Sequence, residues 1–230
     1  MGARLTLCPK KTNVSRRKHQ PQPEKPKEEI MNLSLLPKLE GLSPRDVFML
    51  LNATTYEQFV DTRAKLQAGI CQFCGENPLH HIVAENEHWR AWPNPYPQAN
   101  HKHHFVIAVK RHIYHFKELT QSERYALSEV QFELVIKFEI EGGVFGMRFG
   151  EVQLSLASVL HLHTNLRIPD LRGPASIVFA RSYGETLKRI YVLGLFERIL
   201  RGTPLEALDF DDQKLVRERE QWLGHGPAVP

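Results

Sequence analysis

The chain has no long apolar run. Nowhere do the roughly eighteen consecutive apolar residues of a membrane span occur, so no membrane association is expected. Cysteine is scarce. Three cysteines, two of them in Cys71-x-x-Cys74, do not make a disulfide framework, and they point to a metal site or a redox pair in a reducing, cytoplasmic compartment. No apolar h-region follows the basic residues near the start, so a secretory leader is not expected. No second C-x-x-C and no tight H-x-x-x-H follows the first pair. Any further ligands of a tetrahedral metal must therefore come from farther along the chain.

What is present in quantity is histidine. Twelve histidines in 230 residues cluster between 80 and 115 and at 161–163. The length fits one domain with decorations, and 42% hydrophobic content is enough for a core. The net charge of +4 suits anionic partners, but much of the surplus lies in the first thirty residues and says little about the fold. Residues 1–29 are rich in Lys, Arg, Pro and Gln and are expected to be a disordered basic tail. Arg16-Arg17-Lys18 could touch nucleic acid, although a solvated tail is the commoner explanation.

Ser43-Pro44 reads as an N-cap and first helical residue. A second helix is expected from Thr55 to Gln67, with Gly69 as its stop. Residues 30–69 thus form an N-terminal helical extension in which nothing suggests chemistry. Ile82–Asn86 looks like a strand leading to Trp89–Trp92, and Pro93–Pro97 must be a loop. His104–His112 is a nearly continuous β-prone run. Thr120-Gln121-Ser122-Glu123 is a capping box, opening a long helix with Leu127, Val130, Leu134 and Phe138 on one face and Gly142-Gly143 at its end. Val144–Leu156 reads as a strand and its turn. After a loop over Pro169–Pro174, Ala175–Ala180 reads as a strand. A helix through Leu187, Ile190, Leu193, Phe196 and Leu200 then ends at Gly202, and a charged amphipathic helix from Asp211 to Leu223 suits a packing lid. The order of elements implies an α+β fold with an antiparallel sheet.

The stretch Ser158-Val159-Leu160-His161-Leu162-His163-Thr164-Asn165-Leu166 carries the chemistry. If it is extended, His161, His163 and Asn165 share one face, and the apolar side chains between them point to a core. Such a polar face can bind an anion, hold a metal or supply a nucleophile. By itself an H-x-H is as readily a pair of half-exposed histidines. Arg167, Arg172 and Arg181 lie closely enough to the motif in sequence to bind phosphate, although solvated surface arginines are the commoner outcome.

Taken together, Ile82–Asn86, His104–His112 and Ser158–His163 resemble the histidine triad (HIT-like) superfamily of nucleotidyl hydrolases and transferases. The match covers about residues 70–170, and its specificity comes from several pieces in the right order. The resemblance implies a HIT-like catalytic domain over 70–180, flanked by the N-terminal extension and a C-terminal helical extension over 181–230. It implies His163 as the nucleophile forming a covalent nucleotidyl-histidine, Ser158 as a hydrogen-bond donor to the phosphate, and His104 as a lining residue of the same pocket; Arg167 joins these as a substrate-binding candidate by its nearness to the motif. It also implies a closed, structural zinc held by Cys71, Cys74, His112 and His161.

Two departures stand out. Asn165 occupies the position where hydrolases of the family have His and the transferases and phosphorylases usually have Gln. An amide there can still donate to a phosphate oxygen, which leans toward transfer, but Asn is one methylene shorter. The glycine-rich approach to the motif is replaced by Val152–Ala157. The expected function is therefore nucleotidyl transfer or phosphorolysis on a nucleoside polyphosphate or nucleotide sugar. Plain hydrolysis of the same substrates, or an inactive zinc-stabilised protein that binds nucleotide or nucleic acid, are the alternatives. A homodimer is a partner that the resemblance allows.

Overall fold

A computed structural model of the chain describes residues 38–75, 77, 79–178 and 180–221, with side chains described to 218. The expected basic tail over 1–29, with Arg16-Arg17-Lys18, lies outside the described residues, as do Phe179 and the end of the last helix beyond 221.

Local sequence sets the helix starts. α1, Pro44–Leu51, begins behind Ser43, whose side chain caps the Asp46 N–H while the Asp46 carboxylate returns to the Ser43 N–H. α2, Tyr56–Gln67, is capped by Thr55, and Gly69 follows its end at φ +66°. α3, Gln121–Lys137, opens on the Thr120–Glu123 capping box. It ends earlier than the glycine pair suggested. Glu139 takes a left-handed φ of +48°, and the Ile140 N–H reaches back to the Val135 carbonyl at 2.9 Å. This 6→1 closure lets Ile140 pack against the core behind the last turn. Gly143 serves a different purpose. A Cβ there would lie 2.9 Å from the Arg167 carbonyl oxygen, so only glycine lets the next strand approach so closely.

The sheet has five antiparallel strands in the order β1-β2-β3-β5-β4. These are β1 (Ala84–Glu85), β2 (Trp89–Pro93), β3 (His101–Val109), β4 (Val144–Arg148) and β5 (His163–Pro169). Its central pair sets Ala108 opposite His163, Val106 opposite Asn165 and His104 opposite Arg167. Phe105, Ile107 and Leu166 turn to the other face, where Leu127, Val130 and Leu134 of α3 close the main core. Each such side chain removed from water contributes about 1.5–3 kcal/mol. The Trp89 indole N–H donates to the Glu123 carbonyl at 2.6 Å, fixing α3 against β2. The α+β architecture and the antiparallel sheet are those expected.

One strand expectation is met in shortened form and one fails. Within the 82–86 run the strand is Ala84–Glu85, and the Val83 and Asn86 N–H groups extend its pairing to the Ala91 and Trp89 carbonyls at 2.8 and 3.0 Å. The 175–178 segment joins no strand. Its carbonyls, and that of Pro174 just before it, are taken by side chains instead: Asn100 donates to Pro174, Arg167 to Ser176 and Arg148 to Val178. A chain whose carbonyls are satisfied this way has no need of a ladder.

Between β4 and β5 lies a single helical turn, α4 (Val152–Ser155), ended by Leu156 at φ +51°. α5 (Tyr183–Leu200) and α6 (Phe210–Gln221) follow the sheet, and α5 packs back on the N-terminal extension. Phe59 and Tyr56 meet Phe196 with ring centroids 5.4 and 5.5 Å apart. Arg63 binds Glu197 at 2.5 Å in a largely buried pair. Asn52 donates to the Ala157 carbonyl at 2.9 Å, tying the extension to the approach to the motif. No helix of the described residues is long and apolar enough to cross a membrane.

Candidate active site and metal centre

The strand begins at His163, not at His161. Residues 158–162 form a bend that leads into it. His163, Asn165 and Arg167 then alternate with Thr164 and Leu166, as a period of two requires. The polar face they make is buried: His163 is 6% exposed, Asn165 7% and Arg167 7%.

His163 has its tautomer fixed by the backbone. Its Nδ1–H donates to the His161 carbonyl at 2.7 Å, which leaves the lone pair on Nε2. Burial lowers its pKa to about 4, and the nearby Arg148 and Arg167 push the same way. The ring is therefore neutral near pH 7. His163 lines a cavity of about 420 Å³ together with Ser158, Asn165, His104, Arg148 and Arg167. The structure thus brings together every residue expected to act on substrate. Arg181 lines the same cavity, whereas Arg172 is exposed beside Asp170, 3.9 Å away.

His104 is the support of Asn165. Its Nε2–H donates to Asn165 Oδ1 at 3.0 Å, and Asn94 Nδ2 sits 3.2 Å from Nε2 and 3.3 Å from Nδ1 of the same ring. Burial holds its pKa down to about 3, so it too is neutral. With its oxygen occupied, the Asn165 amide is left with its NH₂ group to offer.

The cysteines meet two histidines from distant segments. One ligand atom each from Cys71, Cys74, His112 and His161 lies within 4.8 Å of all the others. His161 Nδ1 is 3.4 Å from Cys71 Sγ and 3.5 Å from Cys74 Sγ, and His112 Nδ1 is 3.2 Å from Cys74 Sγ. His161 Nε2–H donates to the Val109 carbonyl at 2.6 Å, which turns the Nδ1 lone pair toward the sulfurs. Burial beside Cys74 pushes the Cys71 thiol up to about 11. Four soft and borderline donors in so small a volume fit a tetrahedral Cys₂His₂ metal, and a bound cation would reverse the penalty on the thiolates. Phe73, inside the knuckle, packs its ring 5.1 Å from His163 and 5.2 Å from Trp92, so the loop braces the strand.

Several positions around the cavity carry no mark in the sequence. Gln58, Asp61 and Lys65 of α2 line the cavity, so the extension in which no chemistry was expected forms one of its walls. Burial pushes the Tyr96 hydroxyl up to about 12, and the nearby Asp61 carboxylate pushes the same way. Lys188 of α5 and Leu215 and Glu218 of α6 complete the wall, so the last helix does cover the site. Arg148 is the most consequential omission. It stands opposite His163 on β4, a register that the sequence alone does not give. Trp92, fully buried, lies parallel to His80 at 4.0 Å on the floor of the cavity.

No protein-family model matches the chain, and no curated protein matches it. Several solved structures are similar to about half of the chain. A "Hit Like Protein" is 26% identical over 42% of this chain and 91% of that one, with a TM-score of 0.37. A HIT family hydrolase from Legionella pneumophila Philadelphia 1 is 21% identical over 47% and 96%, with a TM-score of 0.36. A zinc-bound histidine triad family protein from Mycobacterium smegmatis is 11% identical over 54% and 88%, with a TM-score of 0.33.

Proposed function

We propose that the chain is a histidine triad nucleotidyl transferase or phosphorylase acting on a nucleoside polyphosphate or nucleotide sugar. The observation that carries this reading is the fixed tautomer of His163, with Nε2 free in a cavity it shares with four arginines, Arg148, Arg167, Arg181 and Arg189. A neutral imidazole whose Nδ1–H is held by a carbonyl is an effective nucleophile at phosphorus. The Nε2 lone pair forms the N–P bond as the bond from the α-phosphorus to the leaving phosphate oxygen breaks. That oxygen departs with the bonding electrons, and the ring's new positive charge is stabilised by the Nδ1–H donated to His161. An acceptor oxygen then attacks phosphorus, and the N–P bond breaks to return the neutral ring. A phosphate dianion as acceptor needs no general base. Arg148, Arg167 and the Asn165 amide balance charge on the phosphoryl oxygens, with Ser158 as a further donor.

Zinc is the metal this donor set suits, held by Cys71, Cys74, His112 and His161. Its contribution would be structural: it ties the knuckle and the segment after β3 to the residue two before the nucleophile. Hydrolysis is the sibling reading, differing only in water as the acceptor.

The test is intact-protein mass after brief mixing with dinucleoside polyphosphates and nucleotide sugars, beside His163→Ala. A nucleotide-sized increase on the wild type alone is expected. Turnover by His163→Ala at the wild-type rate would refute the assignment.

A further inference from the structure

Two arginines, Arg167 buried and Arg148 half-buried, flank Asn165 without a carboxylate to balance them. Arg167 is 7% exposed. Its Nη1 donates to Gln98 Oε1 at 2.5 Å and to the Ser176 carbonyl at 3.4 Å. Arg148 donates to the carbonyls of Ser155 and Val178. All four acceptors are neutral. Among the described residues no carboxylate lies within ion-pair distance of either side chain. Burial brings Arg167 down to about 10, with its neighbour Arg148 pushing the same way. Like charges so placed call for an anion, because a buried charge is costly until it is paired.

The backbone leaves room for one. On β4, Arg148 stands opposite His163, Gly146 opposite Asn165 and Val144 opposite Arg167. Opposed residues in an antiparallel pair share a face, so Gly146 is a gap in the row beside Asn165. A Cβ built there meets nothing within 4 Å. A second cavity of about 380 Å³ lies beside β4 and shares part of its lining with the nucleophile's cavity. Arg148, Asn165 and Arg167 line both, and Gly146 lines the second.

We infer that the slot over Gly146, between Arg148 and Arg167 and floored by Asn165, is a second anion site that takes a phosphate group. It lies beside the position that the α-phosphate would occupy at His163, and Arg148, Arg167 and Asn165 would face both anions. Its role as the seat of an acceptor phosphate, or of a substrate's terminal phosphate, rests on the proposed nucleotidyl transfer. Its binding of the anion does not.

Inorganic phosphate titrated into the full chain by calorimetry tests it, with Gly146→Val, Arg167→Gln and His163→Ala alongside. Wild type and His163→Ala are expected to bind phosphate alike. Gly146→Val fills the slot while keeping both cations and a strand-favouring residue. It should bind at least about tenfold more weakly, the loss of one charge-assisted contact, with an unchanged melting temperature in phosphate-free buffer. If Arg167→Gln folds poorly, Gly146→Val alone decides. Equal affinity in wild type and Gly146→Val would overturn the inference, as would loss of binding in His163→Ala. Titrating a nucleoside triphosphate into His163→Ala with and without saturating phosphate separates the sources. Competition assigns the slot to the substrate's own terminal phosphate, and independence assigns it to a free phosphate acceptor. Failure of phosphate binding leaves the His163 adduct untouched, and failure of the adduct leaves phosphate binding untouched.

Discussion

Replacing Glu123 by Gln tests how the metal-bearing segment is held to the fold. The carboxylate receives Arg111 in a fork, Nε to Oε1 at 3.0 Å and Nη2 to Oε2 at 2.9 Å, and accepts the Thr120 N–H at 2.7 Å. The Arg111 bonds lower its pKa from 4.5 to about 2. That difference corresponds to about 3 kcal/mol in full. Glu123 is only 5% exposed, but half of the Arg111 side chain faces water, and screening there leaves about 1–2 kcal/mol. The sign follows from the lowered value. The stabilisation is complete above the unfolded-state pKa of 4.5 and is lost as pH falls through about 2. Urea unfolding of wild type and Glu123→Gln should therefore differ by about 1–2 kcal/mol near pH 6.5, with less than about half of that gap left at pH 3. Acid also strips metal ligands, but it does so from both proteins and cancels in the difference. A gap of the same size at both pH values would refute the electrostatic account. Arg111 precedes His112, so the variant should also release metal faster to a chelator at neutral pH.

Other expectations rest on single contacts. Cys74→Ser should leave the purified protein with well under one equivalent of zinc by elemental analysis, and one full equivalent would rule out this donor set as the zinc site. Phe59→Ala, at a fully buried ring between Tyr56 and Phe196, should cost about 3–5 kcal/mol in urea unfolding; a loss below about 1 kcal/mol would mean the extension is not packed as described. Glu197→Ala leaves Arg63 buried and without its carboxylate and should cost about 3 kcal/mol. Glu197→Gln should recover part of that, and no recovery would point to packing instead.

Much of the scaffold is legible in the sequence because it is local. Ser43, Thr55 and Thr120 announce their helices by capping chemistry within four residues of themselves. The alternation from His163 to Arg167 assigns faces to the strand without any knowledge of its neighbours. What fails is whatever depends on distant partners. The 175–178 run has the composition of a strand, but arginines and an asparagine already hold carbonyls along it and at its start. The end of α3 looked like Gly142-Gly143, yet Glu139 closes it and Gly143 is needed for contact with β5. The polar wall from α2 leaves no local signature, since a solvent-facing and a cavity-facing helix face read the same.

Asn165 shows how the distant and the local combine. Read from the motif, its amide is one methylene short of the Gln usual in the transferases that the motif resembles. In the fold the short side chain sits opposite Gly146, with His104 holding its oxygen and Arg148 and Arg167 on either side. The amide does not need to reach far when guanidinium donors come to the same place. A longer side chain would intrude on the gap the glycine leaves. Asn165→Gln should therefore impair turnover rather than restore a family-like site. The expected loss is about tenfold in kcat/KM, roughly 1.4 kcal/mol, with adduct formation at His163 retained. The adduct appears in the intact mass and the loss in steady-state kinetics. An Asn165→Gln enzyme faster than wild type would show that reach, and not room for the anion, limits this site.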